Sequence, residues 1–172
     1  MRTITGIATL IAIGILFTGV ADAQSARAEL KDANGNTVGE AVLEQRGDDV
    51  RITTNFTGIP AGTHAFHIHT VGKCDPPFES AGGHFNPTRK QHGKDNPQGA
   101  HAGDLPNIEV PANGRVKVEA TAKGVSLGAA TNGLLDADGS ALVVHEGADD
   151  YKSDPAGNAG KRIACGVIQA AR

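Results

Sequence analysis

The sequence predicts an all-β domain of eight short antiparallel strands, arranged as a sandwich or a barrel. Short segments of alternating apolar and polar residues recur along the chain, with glycine, asparagine and aspartate between them. No segment after residue 23 carries the apolar spacing of an amphipathic helix. Aromatic residues make up only 3% of the chain and glycines number 23, which suits small strands joined by many turns.

The first 23 residues predict a signal peptide rather than part of this domain. Arg2 precedes an apolar run at residues 4–20, and Ala21-Asp22-Ala23 follows as a small-x-small cleavage pattern. A retained membrane anchor is the weaker interpretation, because the run is interrupted by glycine and threonine and is short for a transmembrane helix. We therefore expect residues 24–172 to form one secreted domain that is free of the membrane after cleavage.

Eight segments carry the strand pattern. In chain order they are residues 26–32, 37–45, 49–58, 62–70, 107–114, 115–122, 141–147 and 162–170. The sequence "ANGN" between the first two predicts a hairpin turn. Two long segments, 71–106 and 147–161, interrupt the regular succession of short strands. Loops of this length are uncommon unless they are functional or are held in place by a disulfide or a metal.

Charge and cysteine content narrow the class of protein. The net charge of −3 and the lack of a lysine- and arginine-rich block argue against a nucleic-acid partner. Cys74 and Cys165 predict one disulfide in a secreted protein, whereas two free buried thiols are the less expected alternative. A bond between them would close a loop of about 90 residues and contribute at most ~4–5 kcal/mol.

Three of the seven histidines fall in the stretch "HAFHIHT". Side chains alternate between the faces of a strand, so His67 and His69 point the same way and form a candidate chelating pair. His64 lies three residues earlier and points to the other face. We expect it to hydrogen-bond neighbouring backbone rather than a metal.

A second group of possible ligands lies in the first long loop. Seven, eight and two residues separate its successive members, which are His84, His92, His101 and Asp104. Three imidazoles and a carboxylate suit tetrahedral Zn²⁺. The alternative is a solvated polar loop with incidental histidines.

The last histidine, His145, ends the apolar strand "ALVVH". Alone it would be a strand-end histidine with ordinary hydrogen bonds. Together with His67 and His69 it could complete a nitrogen-rich site of the kind that Cu(II) prefers.

Five motifs, "FHIH", "AGGHFNP", "HAGDLPN", "VVHEGADD" and "GNAGKRIACGVI", resemble the copper/zinc superoxide dismutases. The resemblance covers essentially all of residues 24–172. It implies an eight-stranded Greek-key barrel with two long functional loops, and one copper and one zinc per subunit. It also implies the conversion of two superoxide anions and two protons to O₂ and hydrogen peroxide by alternating Cu(II)/Cu(I) redox.

The resemblance also implies a role for individual residues. The copper ligands would be His67, His69, His84 and His145. The zinc ligands would be His84, His92, His101 and Asp104. His84 would thus serve both metals as a bridging imidazolate, Asp149 would link His67 to His92, and Arg162 would receive the substrate anion beside copper. Cys74 and Cys165 match the family disulfide, which joins the loop to the last strand.

The early position of Cys74 and the insert "DPPFESAGG" resemble the bacterial periplasmic branch of the family. We therefore expect a periplasmic or secreted protein that is a monomer or a homodimer. The alternative function is a secreted copper/zinc-binding carrier without turnover. Arg162 favours the enzyme, because a carrier needs no arginine to receive an anion.

Overall fold

The computed structural model describes residues 24–128 and 130–171, so the predicted signal peptide lies outside the described residues. Within these ranges the chain forms ten β-strands and one 3₁₀ turn at Glu79–Ala81. The prediction of an all-β protein is confirmed. Over the same ranges, no helix has the length and apolar character that crossing a membrane requires.

Each of the eight predicted segments contains a strand, and two of them contain two. The strands are β1 (Ser25–Asp32), β2 (Thr37–Arg46), β3 (Asp49–Phe56), β4 (Gly62–His64), β5 (Phe66–His69), β6 (Ile108–Val110), β7 (Val116–Ala122), β8 (Ala141–His145), β9 (Arg162–Val167) and β10 (Gln169–Ala170). The segment 62–70 divides at Ala65, whose N–H donates to the Gly147 carbonyl at 2.8 Å. The chain changes sheet at this point, because β4 pairs with β6 whereas β5 pairs with β8.

The strands form a large antiparallel sheet and a small one. The large sheet has the order β5-β8-β9-β1-β2-β3-β7, with β10 also beside β1, and the small sheet consists of β4 and β6. Strands β1, β2 and β3 follow one another as hairpins. The long connections return β5, β8 and β9 to the other side of β1, as expected for a Greek-key barrel.

The alternating pattern of the strands builds the core. In β1 the buried residues are Ala26, Ala28 and Leu30, while the residues between them face outward. Phe56 and Phe66 meet edge to face inside the barrel with ring centroids 5.7 Å apart.

Strands β5 and β8 depart from this alternation, because every residue in both is buried. One face of each contributes to the core, through Ile68 and Leu142 for example. The other face of β5 carries His67 and His69. The long loops cover this second face, which places two histidines on a rigid strand beneath a loop layer.

The first long loop is attached to the barrel by the predicted disulfide, which is confirmed. Cys74 and Cys165 are bonded with their Cα atoms 5.6 Å apart. Around the bond lies a second apolar cluster, which includes Phe78, Ala81 and Val143. The disulfide therefore joins the loop to β9 over a small core of its own.

The second long loop is also bonded to the first loop and to Asn107, the residue that directly follows it. The Asn107 N–H donates to the Tyr151 hydroxyl at 2.7 Å. The Asn107 side chain forms two further hydrogen bonds, both at 2.9 Å, to the backbone N–H and carbonyl of Asp149. Lys94 of the first loop places its Nζ 4.0 Å from the centre of the Tyr151 ring. These contacts fix the second loop against the first.

Candidate metal centre

Three elements bring four histidines together on the covered face of β5. His67 and His69 project from β5 itself, and His145 ends the neighbouring strand β8, where its N–H donates to the Ala65 carbonyl at 3.0 Å. His84 comes from the long loop, which runs antiparallel beside His69. The ring centroid of His67 lies 4.0 Å from that of His84 and 5.1 Å from that of His145.

Each of these four residues turns one buried ring nitrogen into the space between them. The four nitrogens have no hydrogen-bond partner in the described part of the chain, and they are His67 Nδ1, His69 Nε2, His84 Nε2 and His145 Nε2. The possible ligand atoms of the group all lie within 4.8 Å of one another. Buried polar atoms are normally hydrogen-bonded, so four converging exceptions require a partner such as an ion. An all-imidazole set suits Cu(II).

The opposite nitrogen of each ring is held by a protein acceptor. The contacts in the copper group are His67 Nε2 to the Asp149 carboxylate at 2.8 Å, His69 Nδ1 to the Gly82 carbonyl at 2.9 Å and His145 Nδ1 to the Gly160 carbonyl at 3.2 Å. An imidazole N–H that donates to such an acceptor fixes the orientation of the ring and its tautomer. The lone pair of the other nitrogen is then available to a metal.

A second cluster forms around one oxygen of Asp104. Asp104 Oδ1 lies 2.8 Å from His84 Nδ1, 3.1 Å from His92 Nδ1 and 3.2 Å from His101 Nδ1. The other oxygen, Oδ2, accepts from the N–H groups of Gly93 and His101, each at 2.9 Å. Three imidazoles and a firmly placed carboxylate form a donor set that fits Zn²⁺.

His84 belongs to both clusters. Its Nδ1 lies with Asp104, and its Nε2 is one of the four converging nitrogens of the first cluster. The structure thus provides a ring whose two nitrogens face two different groups of ligands. This is the arrangement that the resemblance implies for a bridging imidazolate.

Asp149 forms a second link between the two clusters, because its carboxylate contacts one histidine of each. Its Oδ2 lies 2.8 Å from His67 Nε2 and its Oδ1 lies 2.9 Å from His92 Nε2. The Tyr151 N–H also donates to Oδ1, at 2.6 Å. Gly157, with a φ of 65°, packs so closely that a side chain there would collide with the Asp149 carboxylate and the His92 ring.

Burial determines the protonation of the first cluster. It lowers the pKa of His69 to about 2, of His145 to about 3 and of His84 to about 4, with neighbouring imidazoles adding to the effect in each case. All three rings are therefore neutral at pH 7. Neutral imidazole is the form that coordinates a metal.

In the second cluster, nearby carboxylates raise the pKa of His92 instead of lowering it. Burial would lower the pKa of His92, but contacts with the carboxylates of Asp104 and Asp149 outweigh it and raise the pKa to about 9. Burial would raise the pKa of both carboxyl groups, but their bonds to the surrounding imidazoles hold both pKa values well below the usual range. The carboxylates are therefore charged, and they offer negative charge where a cation would bind.

Arg162 lies beside the first cluster and is held by the disulfide loop. Its Nη1 donates to the Phe78 carbonyl and its Nη2 to the Gly82 carbonyl, each at 2.7 Å. The Gly82 carbonyl also accepts from His69 Nδ1, so the guanidinium and a candidate copper ligand share one acceptor. The Arg162 side chain is 14% exposed, and Glu79 Oε2 lies 3.5 Å from Nη2.

The structure brings the predicted metal ligands together and leaves His64 outside both clusters, as expected, although His64 belongs to β4 rather than to the strand of His67 and His69. His64 is buried, with Nδ1 2.8 Å from the His145 carbonyl oxygen and Nε2 3.0 Å from that of Pro60. Sequence reasoning missed Gly82 and Asn107. Gly82 acts through a backbone carbonyl, which no side-chain pattern reveals, and the only sign of Asn107 is its place at the end of "HAGDLPN".

Comparisons with known proteins agree on one family. A sequence model of copper/zinc superoxide dismutase (SODC) matches residues 37–168. The chain is 48% identical over 159 residues to Cu-Zn superoxide dismutase 1 of Aquifex aeolicus, covering 90% of this chain and 94% of that protein. It is 52% identical over 147 residues to Cu-Zn superoxide dismutase 2 of the same organism, covering 84% and 86% respectively.

Two solved structures have the same fold. A SOD-like protein from Bacillus subtilis superposes with a TM-score of 0.77 at 43% identity, covering 82% of this chain and 96% of that one. Cu/Zn superoxide dismutase from Brucella abortus superposes with a TM-score of 0.68 at 30% identity, covering 84% and 99%.

Proposed function

The chain belongs to the copper/zinc superoxide dismutase family, and from that premise we propose which of its residues perform the reaction. The protein is an oxidoreductase that converts two superoxide anions and two protons to O₂ and hydrogen peroxide, with copper and zinc as cofactors. Copper is held by His67, His69, His84 and His145. Zinc is held by His84, His92, His101 and Asp104.

The four converging nitrogens of the first cluster carry this assignment. When bound, copper supplies a one-electron couple, Cu(II)/Cu(I), that accepts an electron from one superoxide and returns it to a second. Zinc, with four protein ligands, has a structural and electrostatic role. Bound zinc would hold the part of the first long loop that carries His84, His92, His101 and Asp104, in addition to the anchoring by the disulfide.

His84 and Arg162 handle the proton and the substrate. His84 Nε2 would take up one proton in one half of the cycle and donate it to the departing peroxide in the other, while solvent water supplies the second proton. Arg162 offers its guanidinium to the superoxide anion and orients it, because the Phe78 and Gly82 carbonyls hold that group in place. The chain carries a net charge of −3, so this local positive charge must overcome a general repulsion, and such electrostatic focusing is known for superoxide dismutases.

The experiment that tests this function pairs metal analysis with a dismutation assay on residues 24–172. The proposal expects one copper and one zinc per chain and rapid superoxide removal that depends on copper. Stoichiometric metal uptake without dismutation would instead support a copper/zinc carrier.

Exchanging Arg162 for glutamate should reduce kcat/KM for superoxide at least tenfold, or about 1.4 kcal/mol, while copper and zinc content stay at one each. The substitution replaces an attractive charge beside the substrate with a repulsive one. Glu79→Gln should have the opposite effect, since it removes the carboxylate that lies 3.5 Å from Arg162 Nη2. Pulse radiolysis at low and high salt measures both, and the gain from Glu79→Gln should shrink as salt is added.

A matched control is Glu40→Gln, which makes the same charge change as Glu79→Gln but on the exposed face of β2. It should leave kcat/KM close to that of the unaltered protein. An Arg162→Glu enzyme with normal kcat/KM would exclude a guiding role for this arginine.

Replacing Asp149 with asparagine should weaken metal binding about 10–100-fold, with zinc and copper affected together. The carboxylate contacts His67 on one side and His92 on the other, and an amide cannot accept from both N–H groups as a charged acceptor does. Competition titrations with a chelator of known affinity would measure the change. Asp48→Asn, at an exposed carboxylate in the turn between β2 and β3, is the control and should leave both affinities unchanged. An Asp149→Asn protein that lost affinity for one metal alone would contradict the linking role.

The protein acts outside the cytoplasm, where disulfides such as Cys74–Cys165 form and persist. Its relatives include dismutases named as extracellular. We place it more narrowly in the periplasm or among secreted proteins, after cleavage behind Ala23 releases residues 24–172 as a monomer or homodimer. N-terminal sequencing of the exported protein would test the cleavage site.

A further inference from the structure

The proposed zinc cluster is not equally enclosed by its four ligands. The side chains of His92 and His84 are 0% and 2% exposed, whereas those of Asp104 and His101 are 4% and 8% exposed. His101 is thus the ligand nearest to solvent, and the cluster has one comparatively open side.

That open side faces a groove of about 700 Å³. His101 and Asp104 lie among its lining residues, while His84 and His92 do not. One wall comes from the first long loop, at Pro87, Thr88 and Lys90. The other comes from Thr121 of β7 and the turn after it, where β7 forms the end of the large sheet.

The groove is separate from the substrate side of the molecule. Neither Arg162, the proposed substrate-binding residue beside the copper cluster, nor Gly82, which holds it, contributes to the lining. A ligand could therefore move along the groove to His101 without passing the copper cluster. Zinc exchange and superoxide capture would use different openings.

The lining of the groove carries two lysines and one carboxylate. The lysines are Lys90 and Lys123, and the carboxylate is that of Asp104, which three imidazoles surround. Outside the lining, Asp49 lies 3.8 Å from Lys123, which is 84% exposed, and Asp154 Oδ1 lies 4.0 Å from His101 Nε2. The two lysines at the rim repel a bare divalent cation and attract an anion.

We propose that this groove is the path by which zinc enters and leaves. His101 is then the first ligand whose side chain rotates away from the zinc position. The positive rim selects zinc that arrives on, or departs with, a small anionic oxygen-donor ligand. The inference rests on the proposed zinc site, and it adds the route and the chemical class of the exchange partner.

The route is tested by narrowing the groove with Thr121→Phe. Thr121 is exposed on β7, where an aromatic residue suits a strand. Zinc uptake by the metal-free protein and zinc release to a chelator should both slow several-fold and by the same factor, so that the equilibrium affinity is unchanged. Thr53→Phe, on the adjacent strand β3 and outside the groove, is the control and should change neither rate. An altered affinity, or unaltered rates in Thr121→Phe, would refute the route.

The charge selection is tested by Lys90→Gln and Lys123→Gln, which preserve the fold even if Thr121→Phe does not. Each variant should bind free Zn²⁺ faster and lose zinc more slowly to the anionic chelator EDTA, and both differences should shrink in high salt. Loss to the neutral chelator 1,10-phenanthroline should not change. Lys117→Gln, on β7 but outside the groove lining, is the control.

Equal effects on EDTA and phenanthroline, or effects that persist in high salt, would refute the charge selection. The unaltered protein separates this inference from the proposed function. If it binds no zinc, the proposed site itself fails, whereas one bound zinc with rates insensitive to every groove variant refutes the groove alone.

Discussion

Replacing His84 with alanine should disturb both metal sites at once and reduce dismutation by at least ~100-fold. Loss of a residue that only supports a ligand typically costs 10–100-fold in metal affinity or activity, and His84 is proposed to ligate two metals directly. Its Nδ1 lies with Asp104 and its Nε2 with the copper cluster, so one truncation removes a donor from each. The same change removes the group that carries the proton to peroxide.

Metal analysis and a dismutation assay on the same sample check this expectation. His64→Gln is a suitable control, because His64 is also a buried histidine, at the end of β4, but lies outside both clusters. It should retain one copper and one zinc. If His84→Ala lost only one of the two metals, His84 would belong to a single site. Normal content of both metals would eliminate its shared role.

Removing the disulfide with Cys74→Ala and Cys165→Ala together should lower the free energy of unfolding by up to ~4–5 kcal/mol. The bond joins residues 91 apart in sequence, and the unfolded chain gains most from the release of a long loop. Activity should fall as well, because the loop behind Cys74 carries the Phe78 and Gly82 carbonyls that hold Arg162. Urea unfolding of the metal-free protein measures the first effect without the stabilisation that bound metal adds.

Val143→Ala provides the comparison for packing, since Val143 is buried in the same cluster as Cys165 but forms no cross-link. It should destabilise by less than the double cysteine variant and leave kcat/KM nearly intact. A double variant with an unchanged unfolding midpoint would show that the barrel and loop contacts alone fix the loop.

Part of this structure follows from the sequence because local patterns determine it. Strand alternation places His67 and His69 on one face of β5, and the structure has that arrangement. His64 lies outside both clusters as expected, but it does so on a separate strand, β4, that belongs to the other sheet. The division of the fourth segment at Ala65 was not predictable in this way, because it depends on which distant strands pair with each half.

The sharing of His84 is likewise a long-range property. Fourteen residues with no strand pattern separate it from His69, and no local rule predicts where such a loop returns to the barrel. The family resemblance supplied this assignment. Neither the local sequence patterns nor the family resemblance predicted the role of the Gly82 carbonyl, which contacts both Arg162 and His69. Every residue has a carbonyl, and only the folded structure determines which groups bond to it.

The position of Tyr151 has an optical consequence. The chain contains one tyrosine and no tryptophan, so its near-ultraviolet fluorescence arises essentially from a single phenol ring. That ring lies at the junction of the two loops, with its hydroxyl bonded to the Asn107 N–H and Lys94 above its face. Emission from the unlabelled protein therefore reports on whether this junction is closed, and loop ordering can be followed in real time without an introduced dye.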